Sequence, residues 1–247
     1  MTERKRAALV TGSGRNIGRA CVLALARDGF NVVINGSGDR AACDEVADKA
    51  RALGAEALVV MTDVGSKETC DALAKAAIDA FGGVDVLINN AAIRPSQGFL
   101  EMAEEDWHRV LNVNMNAAFW LARACLPGMV DRGWGRIINM AGMNAIHGYN
   151  GRAHVSVSKH GAWGMVKALG KEFGPKGITA NIISPGPIGG DHPDKAMAEH
   201  IASLKSRVPL GRVGTSEEIA GMVAHLVSDT GGFVNGQILQ VNGGCET

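Results

Sequence analysis

The sequence lacks the marks of several broad protein classes. Lys plus Arg balance Asp plus Glu at 25 each over 247 residues, so the formal net charge is zero and no electrostatic footprint invites nucleic acid or an anionic membrane. No apolar run approaches the ~20 residues needed to cross a bilayer. The opening is basic, but the apolar stretch after it is only Ala7–Val10 before Thr11-Gly12 interrupts. That is too short for a secretory signal, so the mature chain is expected to start here. The five cysteines, at 21, 43, 70, 125 and 245, are odd in number and form no CxxC pair. They point to reduced thiols in a cytoplasm, not to a disulfide frame or a zinc site. No HExxH spacing and no Ser-His-Asp set appears, and Asp191-His192-Pro193-Asp194 reads as a solvated loop, so no metal is expected. Aromatic residues are only 4% of the chain, and Tyr149 is its single tyrosine.

Glycine is plentiful, at 33 residues, as are short runs of Val and Ile. The candidate strands are Ala7–Val10, Asn31–Asn35, Ala57–Met61, Val84–Asn89, Arg136–Met140, Thr179–Ser184 and Gln237–Val241. Between them, Ala-rich segments of helical period mark Ile17–Asp28, Arg40–Leu53, Lys67–Phe81, Glu104–Val130, His154–Phe173 and Glu217–Ser228. Strands apolar at nearly every position, separated by helices, predict a parallel sheet covered on both faces. Right-handed crossovers then give an α/β, doubly wound, seven-stranded sheet in one domain over residues 1–247. Gly29 and Gly54 stand where helices need left-handed ends, and Thr215-Ser216-Glu217-Glu218 places caps and acids at a helix start. The least regular stretch, Gly186–Arg212, is a candidate mobile loop over a site. The four Trp and ten Met read as core and interface packing.

The first strand runs into Thr11-Gly12-Ser13-Gly14-Arg15-Asn16-Ile17-Gly18 and then a helix. Glycines permit the tight turn and close backbone approach to a pyrophosphate, while helix-terminal N–H groups supply partial positive charge. This junction is where doubly wound sheets bind dinucleotides. An acid at the end of strand two would pair with a ribose 2′-hydroxyl and favour NAD. Here that end reads Val33-Ile34-Asn35-Gly36-Ser37, with no acid until Asp39. A 2′-phosphate meets no repulsion at Asn35 and finds Arg15, Ser37 and Arg40 nearby, so NADP(H) is favoured, with NAD(H) possible.

With these come Asp63-Val64, Asn89-Asn90-Ala91-Ala92, Asn114 within Asn112-Val113-Asn114, Ser158-Lys159, Pro185-Gly186 and the ending Asn235-Gly236-Gln237 to Asn242-Gly243-Gly244. In this order and spacing the chain resembles the short-chain dehydrogenase/reductase family, most like its 3-oxoacyl-carrier-protein reductase or glucose-dehydrogenase-like members. The resemblance implies a Rossmann sheet with NAD(P) across the strand ends, in a homo-oligomer, tetramer or dimer. It implies that Asp63 and Val64 hold the adenine, Asn90 and Ala91 the ribose side, and the Ile188 backbone, beyond Pro185 and Gly186, the nicotinamide carboxamide. It also makes Asn114 and Lys159 catalytic, Lys159 binding the nicotinamide ribose as well. Asn16 replaces a family glycine, a mild change because Asn tolerates a left-handed backbone.

The family's proton machinery departs further. Its serine at the end of strand five and its tyrosine four residues before the lysine fall at Gly142 and Val155. Neither residue performs the expected task, and losing a positioned acid costs about 10² to 10⁴ in rate. Losing an oxyanion donor costs roughly 10² to 10³ more. The segment Gly142–Lys159 offers His147, Tyr149, Arg152 and His154 instead. Tyr149, the only phenol, falls on the substrate wall by the resemblance and is a catalytic candidate, with packing as its alternative. His154 adjoins Val155, but neighbouring helical residues point about 100° apart, so it should not face the nicotinamide. Lys159 is the more conservative candidate, because desolvation beside a nicotinamide cation lowers an ammonium pKa toward neutrality.

Three functions follow. The first is a cytoplasmic oxidoreductase moving hydride between nicotinamide and a small or medium carbonyl, alcohol or C=N substrate, with an altered proton relay. The second is a lyase, hydratase or isomerase on the same fold. The third is a catalytically silent nucleotide-binding subunit. The partners expected are a small-molecule substrate and copies of the chain, with no nucleic acid and no membrane.

Overall fold

In the computed structural model, which describes residues 4–143, 146–191, 199 and 203–246, the apolar runs are all strands. They are β1 (Ala7–Val10), β2 (Asn31–Gly36), β3 (Ala57–Met61), β4 (Val86–Asn89), β5 (Gly135–Met140), β6 (Ile178–Pro185) and β7 (Ile238–Val241). Every pairing is parallel, in the order β3-β2-β1-β4-β5-β6-β7. The order reverses between β1 and β4, and the crevice that opens there is the ligand position of such sheets.

The strands are apolar on both faces because both are covered. In β1, Ala8 and Val10 enter one core while Leu9 enters the other, and β4 repeats this with Val86, Ile88 and Leu87. The helices α1 (Asn16–Arg27), α2 (Arg40–Ala52) and α7 (Ser216–Val227) close the first core with Leu25, Val46 and Val223. Helices α3 (Lys67–Phe81), α5 (Ala117–Arg132) and α6 (Ala153–Phe173) close the second with Leu73, Leu121 and Val166. Removing one such side chain, as in Leu87→Ala, costs about 2–5 kcal/mol. The expected caps form. Gly29 and Gly54 take φ of 89° and 86°, and Thr215 with Glu218 makes a reciprocal capping box on α7.

The expected continuous helix Glu104–Val130 is divided. Helix α4 (Glu104–Leu111) gives way to a π-helical turn at Asn112–Asn116 before α5 begins. Asparagine side chains compete locally with the helix ladder. Here Asn116 Nδ2 donates to Asn112 Oδ1 at 2.7 Å, and Asn114 turns inward. Strand β4 starts at Val86, not Val84, and Asp85, just before it, is a tie at the sheet's lower edge. Its buried carboxylate accepts from Arg4 at 2.6 and 2.8 Å, from Arg132 at 2.8 Å and from the Ala7 N–H at 2.8 Å. Much of the expected loop Gly186–Arg212 lies outside the described residues, namely 192–198 and 200–202, which include His192, Pro193 and Asp194. All five cysteines carry free thiols. Among the described residues, no helix is long and apolar enough to cross a membrane.

Candidate active site

The turn after β1 is built by what its glycines lack. Gly12 has φ 60°, and a Cβ there would lie 2.9 Å from Ala91 Cα. A Cβ on Gly18 would overlap the Gly12 carbonyl oxygen. The turn is then locked to the end of β4. Thr11 Oγ1 accepts from the N–H groups of Asn90 and Ala91 at 2.9 and 3.0 Å, while Asn90 Nδ2 donates to the Thr11 and Gly12 carbonyls at 3.0 and 2.9 Å. Helix α1 follows without a side-chain N-cap at Arg15, and its first residues, Asn16, Ile17 and Gly18, line the crevice, the kind of helix start that suits an anion.

A cavity of about 560 Å³ runs from this turn along the strand ends. Gly12, Gly14, Arg15, Asn16, Ile17 and Gly18 line one part of it. Asn16 is the one non-glycine with positive φ among the described residues, at 47°. Ser13, expected as a cofactor contact, does not line it. Its N–H donates to the Asn35 carbonyl at 2.8 Å, and its buried hydroxyl donates to the Val10 carbonyl at 2.8 Å.

Beyond β2 and β3 the lining passes Asn35, Ser37, Asp39, Asp63 and Val64. The Asn35 amide faces inward, with Nδ2 donating to the Val60 and Thr62 carbonyls at 3.1 and 3.0 Å. Arg40 departs from expectation: it lies outside the lining and pairs with Asp44 at 3.2 Å, one helical turn on. Asp39 caps α2 by accepting from Ala42 N–H at 3.0 Å. The Asp63 carboxylate accepts from both Arg109 terminal nitrogens, at 3.0 and 2.5 Å, and that pairing holds its pKa below the usual carboxylate range. Arg109 gave no sequence signal, because nothing local links it to a residue 46 positions away.

At the other end stand Asn90, Ala91, Tyr149, Lys159, Pro185, Gly186 and Ile188. Lys159 is buried on α6, and its Nζ donates to the Met140 carbonyl at the end of β5, at 2.6 Å. Burial, aided by the Arg94 charge, pushes its pKa down to about 7. Asn114 is buried and off the cavity wall. It accepts from the Ile93 N–H and donates to the Ile93 carbonyl, both at 2.9 Å, and donates to Ser158 Oγ at 3.3 Å. It thereby braces the loop after β4 against α6, and these three bonds occupy both ends of the amide.

Gly142 lines the cavity at φ 125°, a backbone that side-chain-bearing residues rarely adopt. Val155 is fully buried and does not line the cavity. Tyr149 is 36% exposed on the wall. His154 is buried off the wall, as the helical spacing anticipates, and its Nδ1 accepts from the Val155 N–H at 3.0 Å. His147 also leaves the wall, pairing with Glu246 at 2.6 Å. Arg152 and Arg94 complete this end. Arg94 is exposed, so it stays charged although protein crowding and the Arg152 charge both press its pKa down.

Residues 12–246 match the family model described as Enoyl-(Acyl carrier protein) reductase. A 3-oxoacyl-(acyl-carrier-protein) reductase of Staphylococcus aureus is 33% identical over 97% of both chains. That of Synechocystis is 37% identical over 96% of this chain and 95% of the relative. Among solved structures, one assigned as an NAD(P)-dependent gluconate 5-dehydrogenase from Beutenbergia cavernae, with NADP bound at low occupancy, superposes with a TM-score of 0.89 at 35% identity, covering 97% of this chain and 96% of that one. The acetoin dehydrogenase of Salmonella typhimurium gives 0.90 at 30% identity, over 97% and 95% of the two chains. Sequence, sheet order and crevice agree: the chain belongs to the short-chain dehydrogenase/reductase family.

Proposed function

We propose that the protein is an NADP(H)-preferring oxidoreductase that interconverts a small or medium carbonyl and its alcohol, or a C=N analogue, with Lys159 as the proton-carrying group. The carrying observation is the placement of the Lys159 ammonium: buried, on the cavity wall, held 2.6 Å from the Met140 carbonyl, with a pKa near 7.

The residues fit a nicotinamide dinucleotide. Side chains at Gly12 and Gly18 would clash with the end of β4 and with the turn itself, so bare backbone borders the cavity there, and Asn16, Ile17 and Gly18 at the uncapped start of α1 line the same cavity. Gly12 to Gly18 would hold the pyrophosphate, with Asp63 and Val64 at the adenine and Asn90 and Ala91 at the ribose. Pro185, Gly186 and Ile188 would stand at the nicotinamide. Arg15 and Ser37 would meet a 2′-phosphate beside the neutral Asn35. NADP in the Beutenbergia structure supports this preference, although Asp39 on the wall opposes it with one negative charge. When bound, the cofactor supplies or takes up hydride.

The protein's own share is positioning and the proton. In the reductive direction the Lys159 ammonium gives a proton to the carbonyl oxygen and is left as the amine, to be recharged from solvent. In the oxidative direction the amine takes the proton of the alcohol. A group titrating near the working pH suits both directions. Neither Gly142 nor Val155 offers a proton, and Asn114 acts by bracing the loop and helix that carry the wall. Tyr149 lies on the wall with its hydroxyl available to orient substrate. The exposed Phe119 and Val157, on α5 and α6, support self-association into a dimer or tetramer. Loss of NADPH absorbance against ketones and imines, compared between the wild type and Lys159→Met, tests the reading. Equal turnover by the two proteins would overturn the role of Lys159.

A further inference from the structure

Charge is divided unevenly along the cavity. The carboxylates that line it, Asp39 and Asp63, follow β2 and β3, on one side of the switch point. Both are engaged there, Asp63 by Arg109 and Asp39 by the start of α2. Across the switch point the wall holds Arg94, in the loop after β4, and Arg152, at the N-terminal end of α6. Neither guanidinium has an ion pair or side-chain hydrogen bond among the described residues. Arg94 feels the positive charge of Arg152, and Lys159 that of Arg94.

Like charges collected around a reaction end without a counter-ion raise the energy of the free protein, and an anion placed among them lowers it. The guanidinium fork matches an oxyanion through two parallel N–H bonds, which a lone ammonium does not provide. Resting on the redox reading for the rest of the substrate, we propose that Arg94 and Arg152 bind an oxyanion of the substrate, so that the carbonyl or alcohol turned over belongs to a small carboxylic acid or phosphate ester. A substrate held by its acid end has its reactive oxygen fixed relative to Lys159. Such orientation lowers the barrier without a phenol.

The test is binding, measured by calorimetry on the full-length protein with and without NADP⁺. The probes are 4-oxopentanoate, its methyl ester and inorganic phosphate. The oxo acid or phosphate should bind, and the ester should bind at least tenfold more weakly. Arg94→Gln and Arg152→Gln should each weaken the anion about tenfold or more, with Arg152→Lys in between, while NADP⁺ affinity stays within about twofold. Tighter phosphate than oxo acid assigns a phosphate ester, and the reverse assigns a carboxylate. Binding of the ester equal to that of the acid, anion affinity unmoved by both glutamine variants, or no binding of either anion would overturn the proposal. Arginine-dependent anion binding in a protein that takes up no NADP⁺ would reject the redox reading and leave this assignment standing.

Discussion

The carboxamide of Asn16 and the backbone of Asp191 hold each other through two hydrogen bonds. Asn16 Nδ2 donates to the Asp191 carbonyl at 3.1 Å, and the Asp191 N–H donates to Asn16 Oδ1 at 2.8 Å. Arg19 adds an ion pair to the Asp191 carboxylate at 3.5 Å, and Gly190 has no room for a Cβ beside the Asn16 amide. A residue that reads as a tolerated replacement for glycine therefore ties the glycine turn to the chain beyond β6. Asn16→Gly keeps the positive φ without strain and removes the clasp. NADPH dissociation, followed by stopped-flow fluorescence, should quicken about three- to tenfold, the effect of roughly 1 kcal/mol of exposed hydrogen bonding. An unchanged rate would show that the clasp does not restrain the cofactor.

With Lys159 as the proposed proton carrier, the pH dependence differs in sign with direction. Its pKa is pushed down to about 7 by burial. Carbonyl reduction uses the protonated form and should fall as pH rises through about 7; alcohol oxidation uses the amine and should rise over the same range. The stability effect follows from the same depression. Folding favours the amine, so the burial penalty is fully present below the folded pKa near 7 and is relieved as pH climbs toward the unfolded value of about 10.4. Lys159→Met should flatten that rise in stability and abolish the activity profile. A wild-type profile without a transition between pH 6 and 8 would contradict the assignment.

Gly142 and Val155, where the family resemblance places a hydroxyl and a phenol, are not equivalent positions to refill. At Gly142 a Cβ would meet only open space, yet the φ of 125° strains any other residue, so Gly142→Ser should cost about 1–3 kcal/mol in urea unfolding. Val155→Tyr inserts a ring at a fully buried position and should cost a similar ~1–3 kcal/mol from overpacking. If its hydroxyl reaches the wall, reduction of simple ketones should rise about 10² or more. A stable Val155→Tyr protein with unimproved ketone reduction would mean that the substrate, not the phenol, limits the reaction.

Asp85 is the structural counterpart, distant from the crevice. Its side chain is only 3% exposed and is bound by Arg4 and Arg132. Asp85→Ala leaves those cations unpaired and should cost about 3–5 kcal/mol by urea unfolding, with NADP(H) affinity unchanged in the remaining folded fraction. A loss under 1 kcal/mol would show that the tie is replaceable.

Strands and helices are legible in the sequence because their signal is local. β1 and β3 occupy the expected residues, and the glycine turn announces its own geometry. The break in Glu104–Val130 is hidden from periodicity because three asparagines in Asn112–Asn116 act through bonds to one another and to Ile93, a contact 21 residues away. At the site, Lys159, Tyr149 and most of the glycine turn fall on the cavity wall. Ser13 and Arg40 do not, since Val10, three residues back, and Asp44, four residues on, hold them locally. That Arg94 and Arg152 have no ion pair among the described residues is invisible in the sequence, because a missing counter-ion is a property of packing and not of any residue pattern.

The most direct test of the whole account is calorimetric titration of the full-length protein with NADPH and NADH. The account predicts saturable binding of one NADPH per chain, at least tenfold tighter than NADH and weakened about tenfold by Arg15→Ala. Absence of heat with either nucleotide, or equal affinity for both with no effect of Arg15→Ala, would contradict it.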